Sequence, residues 1–515
     1  MKGWTIMRKR RSVVFLFFLL TMAAALFLCT QAEKQVCMGV KILTEAQQEK
    51  LQEYVYEDLS PLLLYNGQKA AVDLGTSTVY IAQDIQADTG VDDLLGKLQI
   101  NSHHLSLSFA PDAAFRNLAA AVADNHRFQL NVAYGSGKYM QYNLVFTTLP
   151  VLRIDGEVIG KNDKGKDICE GELCLWTPLD PDTGRYSVKT SHALWHVRGG
   201  WSATLEKTPF KVSLKDHSGG NRNLALAGLG ADDDWILNPM NLDDTKLKEK
   251  LFCTLWNRRA DQVAWNESMS RGEYAEVIIN QEYFGLFQLQ RRVDGKFLNL
   301  GAEDVLLKSG SNLNASTLSE AYEIVHSQQT EAETYGLMRN FFSGKAGDLP
   351  DMDNFLDVNL FFQWASAKDN IQKNIFFLLN RESSGYQLRM LPWDTDMSWG
   401  TVWDEENGGF VYDFEASRQL VTLRQEYAWM KQFHPDLDQQ MARRWFALRE
   451  NLLTLENMTA ILEQNQLILD SSGAQQRDTE QWGLFYAGED SLENLCRSIE
   501  SRLEWVDEYY NQYLQ

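Results

Sequence analysis

Residues 368–396 read KDNIQKNIFFLLNRESSGYQLRMLPWDTD, and the rest of the predicted organisation follows from them. Two β-rich runs, Ile375–Leu379 and Tyr386–Leu391, flank a polar turn at Arg381–Gly385, which predicts a β-hairpin. The strongly apolar segment Met352–Lys368 precedes the hairpin and predicts a buried helix. Polar residues are therefore expected to gather where the helix ends and the hairpin begins.

The register of this hairpin brings polar side chains to its open end. A turn centred on Ser383 places Asn374 opposite Pro392, so Asn374 and the residues after Pro392 emerge together. The loop that leaves the helix ends close to the same point. The side chains expected to converge there are those of Asp369, Asn374, Asp394 and Asp396.

This set of side chains suits metal-assisted phosphoryl transfer. A carboxylate can accept the proton of an attacking hydroxyl, and amide and carboxylate oxygens suit Mg²⁺ between two phosphates. Protein kinases use the same order of loop Asp, Asn five residues later and a metal-binding Asp after a short hairpin. Here Asp369, Asn374 and Asp394 follow that order, without the usual His-Arg before the first Asp or Phe-Gly after the last. The alternative reading is that Asp369 and Asn374 only cap a helix and a turn.

The flanking sequence predicts an α+β chain in three parts. Short β-rich runs separated by turn residues predict a small β-rich domain over residues 33–147. Residues 148–310 continue with strands such as Phe210–Lys215, whereas residues 311–515 are predicted to be mainly helical. The polar cluster is expected between these last two parts.

The N-terminal segment has the order of an export signal. Four basic residues at positions 8–11 precede the apolar run Val13–Leu28, and cleavage after Ala32 would remove residues 1–32. Without cleavage the same segment is a short membrane anchor. The protein is therefore predicted to be exported, extracellular or at the cell surface, with membrane contact only through this segment.

The net charge of the chain argues against nucleic acids as partners. The chain carries 49 basic and 70 acidic residues, a net charge of −21. A field of that sign repels phosphate backbones, so no nucleic-acid binding is expected.

Two cysteines suggest a local crosslink. Cys169 and Cys174 flank the acidic segment 170–173, which is predicted as a turn. They either bridge a hairpin or remain unpaired thiols.

Several ordered motifs resemble those of the spore coat protein H (CotH) kinase family over roughly residues 148–512. The motifs are LPVLRI at 149–154, HVRGGWS at 196–202, KTPFKV at 207–212, WILN at 235–238, NQEYFGLF at 280–287, and the cluster from Asp369 to WDTD at 393–396. The resemblance implies an atypical protein-kinase-like domain with two lobes, one strand-rich and one helical. It also implies transfer of a phosphoryl group from ATP to Ser or Thr of a protein with Mg²⁺ or Mn²⁺.

Carried over by position, the resemblance makes Asp369 the catalytic base and Asn374 and Asp394 the metal ligands, with Asp396 as a second acidic ligand. Cationic residues can neutralise an anionic nucleotide. The candidates for this nucleotide contact are Arg198, Lys211 and Lys308, for each of which solvated surface charge is the alternative.

Three departures from the family pattern are compatible with a protein that has lost kinase activity. Arg291 stands where the family usually has an acidic residue, Lys248-Glu249 replaces an Arg-Asn pair, and the Arg198 element lacks the family's Asn. One alternative is therefore a pseudokinase that serves as a cell-surface binding or structural module. Another is a glycosyltransferase, since Asp394-Thr395-Asp396 is also an Asp-x-Asp metal motif.

Overall fold

The computed structural model describes residues 40–514, except 60, 87–88, 91–93, 95, 101, 103, 112–116, 136, 311–316, 343–349, 372, 384, 405, 407 and 418–424. The predicted export segment at positions 8–28 lies outside the described residues. In the described part of the chain, no helix combines the length and apolar character needed to cross a membrane. The described chain divides into two compact units, residues 40–81 with 85–146 and residues 82–84 with 147–514.

The first unit is built mainly from short strands. Its elements are β1 (Lys41–Ile42), α1 (Glu45–Gln52), β2 (Val55–Tyr56), β3 (Leu63–Tyr65), β4 (Gln68–Lys69), β5 (Ala71–Asp73), β6 (Thr78–Ala82), β7 (Leu98–Ile100), β8 (Leu105–Phe109), α2 (Leu118–Ala123), β9 (Phe128–Tyr134) and β10 (Lys138–Thr147). One sheet has the order β1-β8-β9-β10-β6-β5, with β2 on β10, and a second has the order β4-β3-β7. Helix α1 begins at Thr44, whose hydroxyl forms a capping box with Gln47.

The second unit opens with a closed β-barrel. Its strands are β11 (Val151–Lys161), β12 (Asp167–Asp180), β13 (Arg185–Val197), β14 (Phe210–Lys215), β15 (Asp234–Asn238), β16 (Gly272–Ile279) and β17 (Glu282–Arg291), and α3 (Lys248–Ala260) lies between β15 and β16 in sequence. Strands β11 and β16 pair in parallel and close the barrel. Apolar side chains such as Leu152, Trp195 and Val212 fill its interior. In β14 the buried residues alternate with partly exposed ones, as the predicted strand Phe210–Lys215 requires.

Helices prevail in the rest of the unit. The elements are β18 (Val305–Ser309), α4 (Leu318–Ala321), β19 (Tyr322–His326), α5 (Glu331–Phe342), α6 (Met352–Ala365), β20 (Ile375–Glu382), β21 (Gly385–Pro392), β22 (Thr401–Asp404), β23 (Gly409–Tyr412), α7 (Phe414–Ser417), α8 (Gln425–Met430), α9 (Leu437–Asn451), α10 (Leu455–Ser472), α11 (Ala474–Trp482) and α12 (Leu492–Asn511). Strands β19-β18-β20-β21 form one sheet. The chain is thus a mixed α and β protein, as expected; its division into two kinase-like lobes stays a prediction.

The central helix α6 explains how the polar cluster is held. Phe361 and Trp364 of α6 are buried among the rings of α3, and Trp364 packs edge-on against Trp399 with ring centroids 5.0 Å apart. The helix ends at Ser366, which adopts a left-handed backbone conformation. A 3₁₀ turn, Lys368–Ile371, then leads into β20. A well-packed helix therefore anchors the loop that carries Asp369.

Of the two alternatives for Cys169 and Cys174, the structure excludes the disulfide, and the predicted turn between them is wrong. Both residues lie on the single extended strand β12, and the segment 170–173 is part of that strand and not a turn. Five residues of extended chain span roughly 16 Å, far more than a disulfide can bridge.

Candidate functional site

Asp369 is held by two neighbours on its own loop. Asn374 Nδ2 donates a hydrogen bond to Asp369 Oδ2 over 2.6 Å, and Lys373 Nζ lies 3.0 Å from Asp369 Oδ1. The Asp369 side chain keeps 16% of its surface exposed. Burial raises the pKa of Asp369 and nearby Asp394 adds to the rise, although Lys373 opposes it. The result is an oriented carboxylate with increased proton affinity.

A buried amide ties both ends of the hairpin together. Asn370 Nδ2 donates to the backbone oxygens of Asn374, 3.0 Å away, and Trp393, 2.9 Å away. Asn374 directly precedes β20 and Trp393 directly follows β21. Asp394, the next residue, therefore lies beside Asn374 at the open end of the hairpin. The sequence-predicted convergence of Asp369, Asn374 and Asp394 is observed.

The predicted register of this hairpin is wrong by one residue. Ile375, and not Asn374, pairs with Pro392, so Asn374 stands opposite Trp393. The closing pair is Glu382 with Gly385, which leaves two residues for the turn in place of a turn centred on a single residue.

Two of the site residues have an unusual backbone conformation. The φ angles are +57° at Asn374 and +56° at Asp394, in the left-handed region. Asn and Asp tolerate this region better than other residues with side chains, and such conformations concentrate at functional sites. The chain therefore enters β20 at Asn374 and leaves β21 near Asp394 through sharp turns that a regular strand would not make.

Carboxylates crowd around Asp394. Burial raises the pKa of Asp396 well above its ordinary value, and the charges of Asp394, Glu249, Asp243 and Asp369 raise it further. The pKa of Glu249 rises to about 7 because the group is buried and faces Asp394, against the opposing effect of Arg198. An excess of negative charge at one place favours an added cation.

Glu249 is the site residue that the sequence analysis missed. It lies on α3, and its carboxylate accepts hydrogen bonds from Asn238 Nδ2 over 2.9 Å and Gln290 Nε2 over 3.0 Å. The sequence does mark this position, because Lys248-Glu249 departs from the Arg-Asn pair of the family pattern. The structure places this departure beside the acidic cluster, where it adds a carboxylate.

Arg198 and Lys308 meet over one aromatic ring. The Trp393 ring centroid lies 5.5 Å from the Arg198 guanidinium and 3.8 Å from Lys308 Nζ. Burial lowers the pKa of Arg198, and burial together with the charge of Arg198 lowers the pKa of Lys308 to about 8, while Asp394 opposes both shifts. Two poorly solvated cations next to the carboxylate Asp394 form a site that an anion would stabilise.

Lys211 does not join that pair. Its Nζ lies 3.0 Å from Asp234 Oδ2, and Arg292 reaches the same carboxylate at 3.3 Å. Lys211 stands opposite His196 on β13, and burial with the charges of Lys211 and Arg198 lowers the pKa of His196. Lys211 therefore has a structural partner.

The lowered pKa of Lys308 predicts a pH-dependent stability. In the unfolded chain its pKa is near 10.5, so the folded protein carries an unfavourable charge that is fully present below pH 8. This cost disappears as the pH rises from about 8 to about 10.5. Lys308→Met should therefore raise the free energy of unfolding at pH 7, and the gain should shrink by pH 10 in urea titrations. Lys161→Met, at an exposed lysine, is the control, and an equal gain at both pH values would contradict the prediction.

Arg291 is engaged away from the acidic cluster. Its Nε lies 3.0 Å from Asp232 Oδ2, and its guanidinium stacks 5.0 Å from the Phe297 ring centroid. The preceding residue, Gln290, bonds to Glu249, and successive residues of a strand point to opposite faces. Arg291 is thus held by a local ion pair and does not contribute its charge to the acidic cluster.

The hairpin end offers oxygen atoms that suit a divalent metal ion only as a partial ligand set. Among the residues that the structure describes, no three His, Cys, Asp or Glu side chains are grouped so that they could hold a metal ion. Mg²⁺ often needs only one or two protein carboxylates, because substrate phosphates and water complete its shell. Asn374 turns its Nδ2 atom to Asp369, so its Oδ1 is the side-chain atom that would contact a cation. Asn374 with Asp394 fits such a partial ligand set.

The chain matches a known protein family. A family model described as CotH kinase protein matches residues 195–506, more than half of the chain. The matched region begins in β13 and ends in α12, and it contains the acidic cluster and the two cations over Trp393. A search of curated proteins found no match.

Proposed function

Because the chain belongs to the CotH kinase family, as its motifs predicted, we propose that it transfers the terminal phosphoryl group of ATP to Ser or Thr of a protein. The observation that carries the proposal is the hydrogen bond from Asn374 to Asp369 at the hairpin end where Asp394 also emerges. This arrangement supplies a base and hard oxygen ligands side by side.

Each group has a stated part in the proposed reaction. The acceptor hydroxyl oxygen forms a bond to the γ-phosphorus, the bond from that phosphorus to the bridging oxygen breaks, and ADP leaves. Asp369 orients the hydroxyl and takes its proton, as its raised pKa favours. Asn374 and Asp394 would hold Mg²⁺ or Mn²⁺, with Asp396 as a further ligand; the ion supplies charge neutralisation on the phosphates.

The cations over Trp393 are proposed to bind the phosphates. Burial deprives Arg198 and Lys308 of part of their hydration. A phosphate bound beside them would supply the negative charge and the hydrogen-bond acceptors that water no longer provides. Lys211 is given no such part, since Asp234 already pairs with it. An exported location stays a prediction.

The test is a transfer assay with the purified full chain. We expect label from γ-labelled ATP to appear on Ser or Thr of added acceptor proteins, or of the chain itself, only with Mg²⁺ or Mn²⁺. Label that appears without a divalent cation would contradict the proposed ligand set. Nucleotide binding with no transfer to any acceptor would favour the pseudokinase, and binding of nucleotide sugars in place of ATP would favour the glycosyltransferase.

A further inference from the structure

Four aromatic side chains form a cluster that remains partly in solvent. This aromatic patch consists of Trp201, Trp403, Phe410 and Phe485. The ring centroids of Trp201 and Phe410 are 4.6 Å apart, those of Trp403 and Phe410 4.8 Å, and those of Trp201 and Phe485 6.1 Å. The exposed fractions are 38% for Trp201, 44% for Trp403 and 39% for Phe485. A contiguous exposed group of large rings on a protein surface commonly marks a binding site.

The aromatic patch is continuous in sequence with both sides of the candidate site. Trp201 follows Arg198 after only two glycines, and β22, which carries Trp403, begins five residues after Asp396. The contact between Trp201 and Phe410 therefore joins the segment that leaves the phosphate-binding side to the segment that leaves the acidic side. A ligand on the aromatic patch would lie next to the proposed place of transfer.

The charge of the patch disfavours an anionic ligand. Its three segments, residues 199–206, 400–413 and 483–491, contain no Lys, Arg or His. Their described acidic residues that reach solvent are Glu206, Asp404, Glu406, Asp413 and Glu489. The polyphosphate of a nucleotide would be repelled here, and so would a second copy of this chain, whose net charge is −21.

We propose that the aromatic patch is the docking surface for the protein substrate, and that it binds a segment in which an aromatic or aliphatic residue lies among Lys or Arg near the accepting Ser or Thr. The rings supply apolar contact area, and the acidic segments supply the opposite charge. The inference rests on the proposed kinase function, because it names the substrate of that same site. Its test is a binding measurement, so its failure can be told apart from a failure of transfer.

The experiment uses the full chain and fluorescent synthetic peptides that contain one serine. The first peptide has lysines around a phenylalanine, the second replaces that phenylalanine with glycine, and the third replaces the lysines with glutamates. By fluorescence anisotropy, we expect the dissociation constant of the first peptide to be lower than that of either other peptide by about tenfold or more. Equal binding of all three, or strongest binding of the acidic peptide, would overturn the proposal.

Variants of the aromatic patch locate the contact. Trp403→Ala and, from another segment, Phe485→Ala should each weaken the first peptide by about tenfold, and Trp403→Phe should restore most of the affinity. The matched control is Phe433→Ala, which removes an equally exposed aromatic ring (45%) outside the patch. Unchanged peptide affinity in Trp403→Ala and Phe485→Ala would overturn the assignment.

Further measurements separate the proposal from its alternatives. The double variant Glu206→Gln with Glu406→Gln should weaken the lysine-containing peptide and reduce the salt dependence of its binding. If the chain transfers phosphate, Trp403→Ala should raise the KM for the first peptide and leave the KM for ATP unchanged. A loss of ATP binding in Trp403→Ala would identify the patch as part of the nucleotide site, and self-association abolished by Trp403→Ala would identify a second copy as its occupant; either result would overturn the proposal.

Discussion

Asp369→Asn is expected to slow phosphoryl transfer by about 10²–10⁴-fold, the usual contribution of a positioned general base. The amide oxygen at this position can still accept the hydrogen bond from Asn374, so the loop keeps its geometry, but it cannot take a proton from the acceptor hydroxyl. Because burial raises the pKa of Asp369, the charged form is a cost to the fold. The variant should therefore unfold at the same or a higher urea concentration.

The measurement is the single-turnover rate with γ-labelled ATP, beside the urea midpoint of the same preparation. Asp261→Asn is the matched control, because it changes an exposed aspartate at the end of α3. Transfer at the wild-type rate in Asp369→Asn would falsify its assignment as the base. A slow variant with a much lower urea midpoint would instead point to a structural part for Asp369.

Asp394→Asn is expected to remove the metal-dependent part of ATP binding. A neutral amide replaces the carboxylate that neighbours Asp369, Asp396 and Glu249, so the site loses attraction for a divalent cation. We expect ATP affinity with Mg²⁺ to fall at least about tenfold, to the value measured with a chelator present. The same change should lower the pKa of Glu249, because Asp394 is one of the groups that raise it.

Calorimetric titration with ATP, in Mg²⁺, in Mn²⁺ and in chelator, tests this expectation. Asp436→Asn, at an exposed aspartate far along the chain, is the control. An Asp394→Asn protein whose ATP binding still strengthens with added Mg²⁺ would show that the metal is held elsewhere. Absence of metal-dependent binding in the unchanged protein would support the pseudokinase alternative.

Local patterns in the sequence were enough to predict several elements of the fold. The strand Phe210–Lys215 is confirmed because period-two alternation is a property of neighbouring residues. The two-residue turn at Asn280 and Gln281 between β16 and β17 is equally local, since both residues adopt the positive φ that such a turn requires. The register around Ser383 failed because two adjacent serines offer no residue that marks the centre of the turn.

Other features depend on contacts between distant parts of the chain. The parallel pairing of β11 with β16 that closes the barrel joins residues more than a hundred positions apart. Likewise, Asp234 neutralises Lys211 only because β14 and β15 are adjacent in the sheet. Glu249 could be recognised as part of the candidate site only once α3 was placed against Asn238 and Gln290. Pairings of this kind leave no periodic signal in the sequence.

The left-handed backbone at Asn374 and Asp394 also limits which residues can replace them in related proteins that have lost activity. Side chains other than those of Asn, Asp or Gly cost roughly 1–2 kcal/mol in that conformation. Loop shape alone therefore retains these residue types at both positions, even in a relative that no longer carries out chemistry. The backbone at Asp369 is under no such constraint, since its φ is negative. We expect inactive relatives to differ first at position 369 while still resembling active ones at 374 and 394.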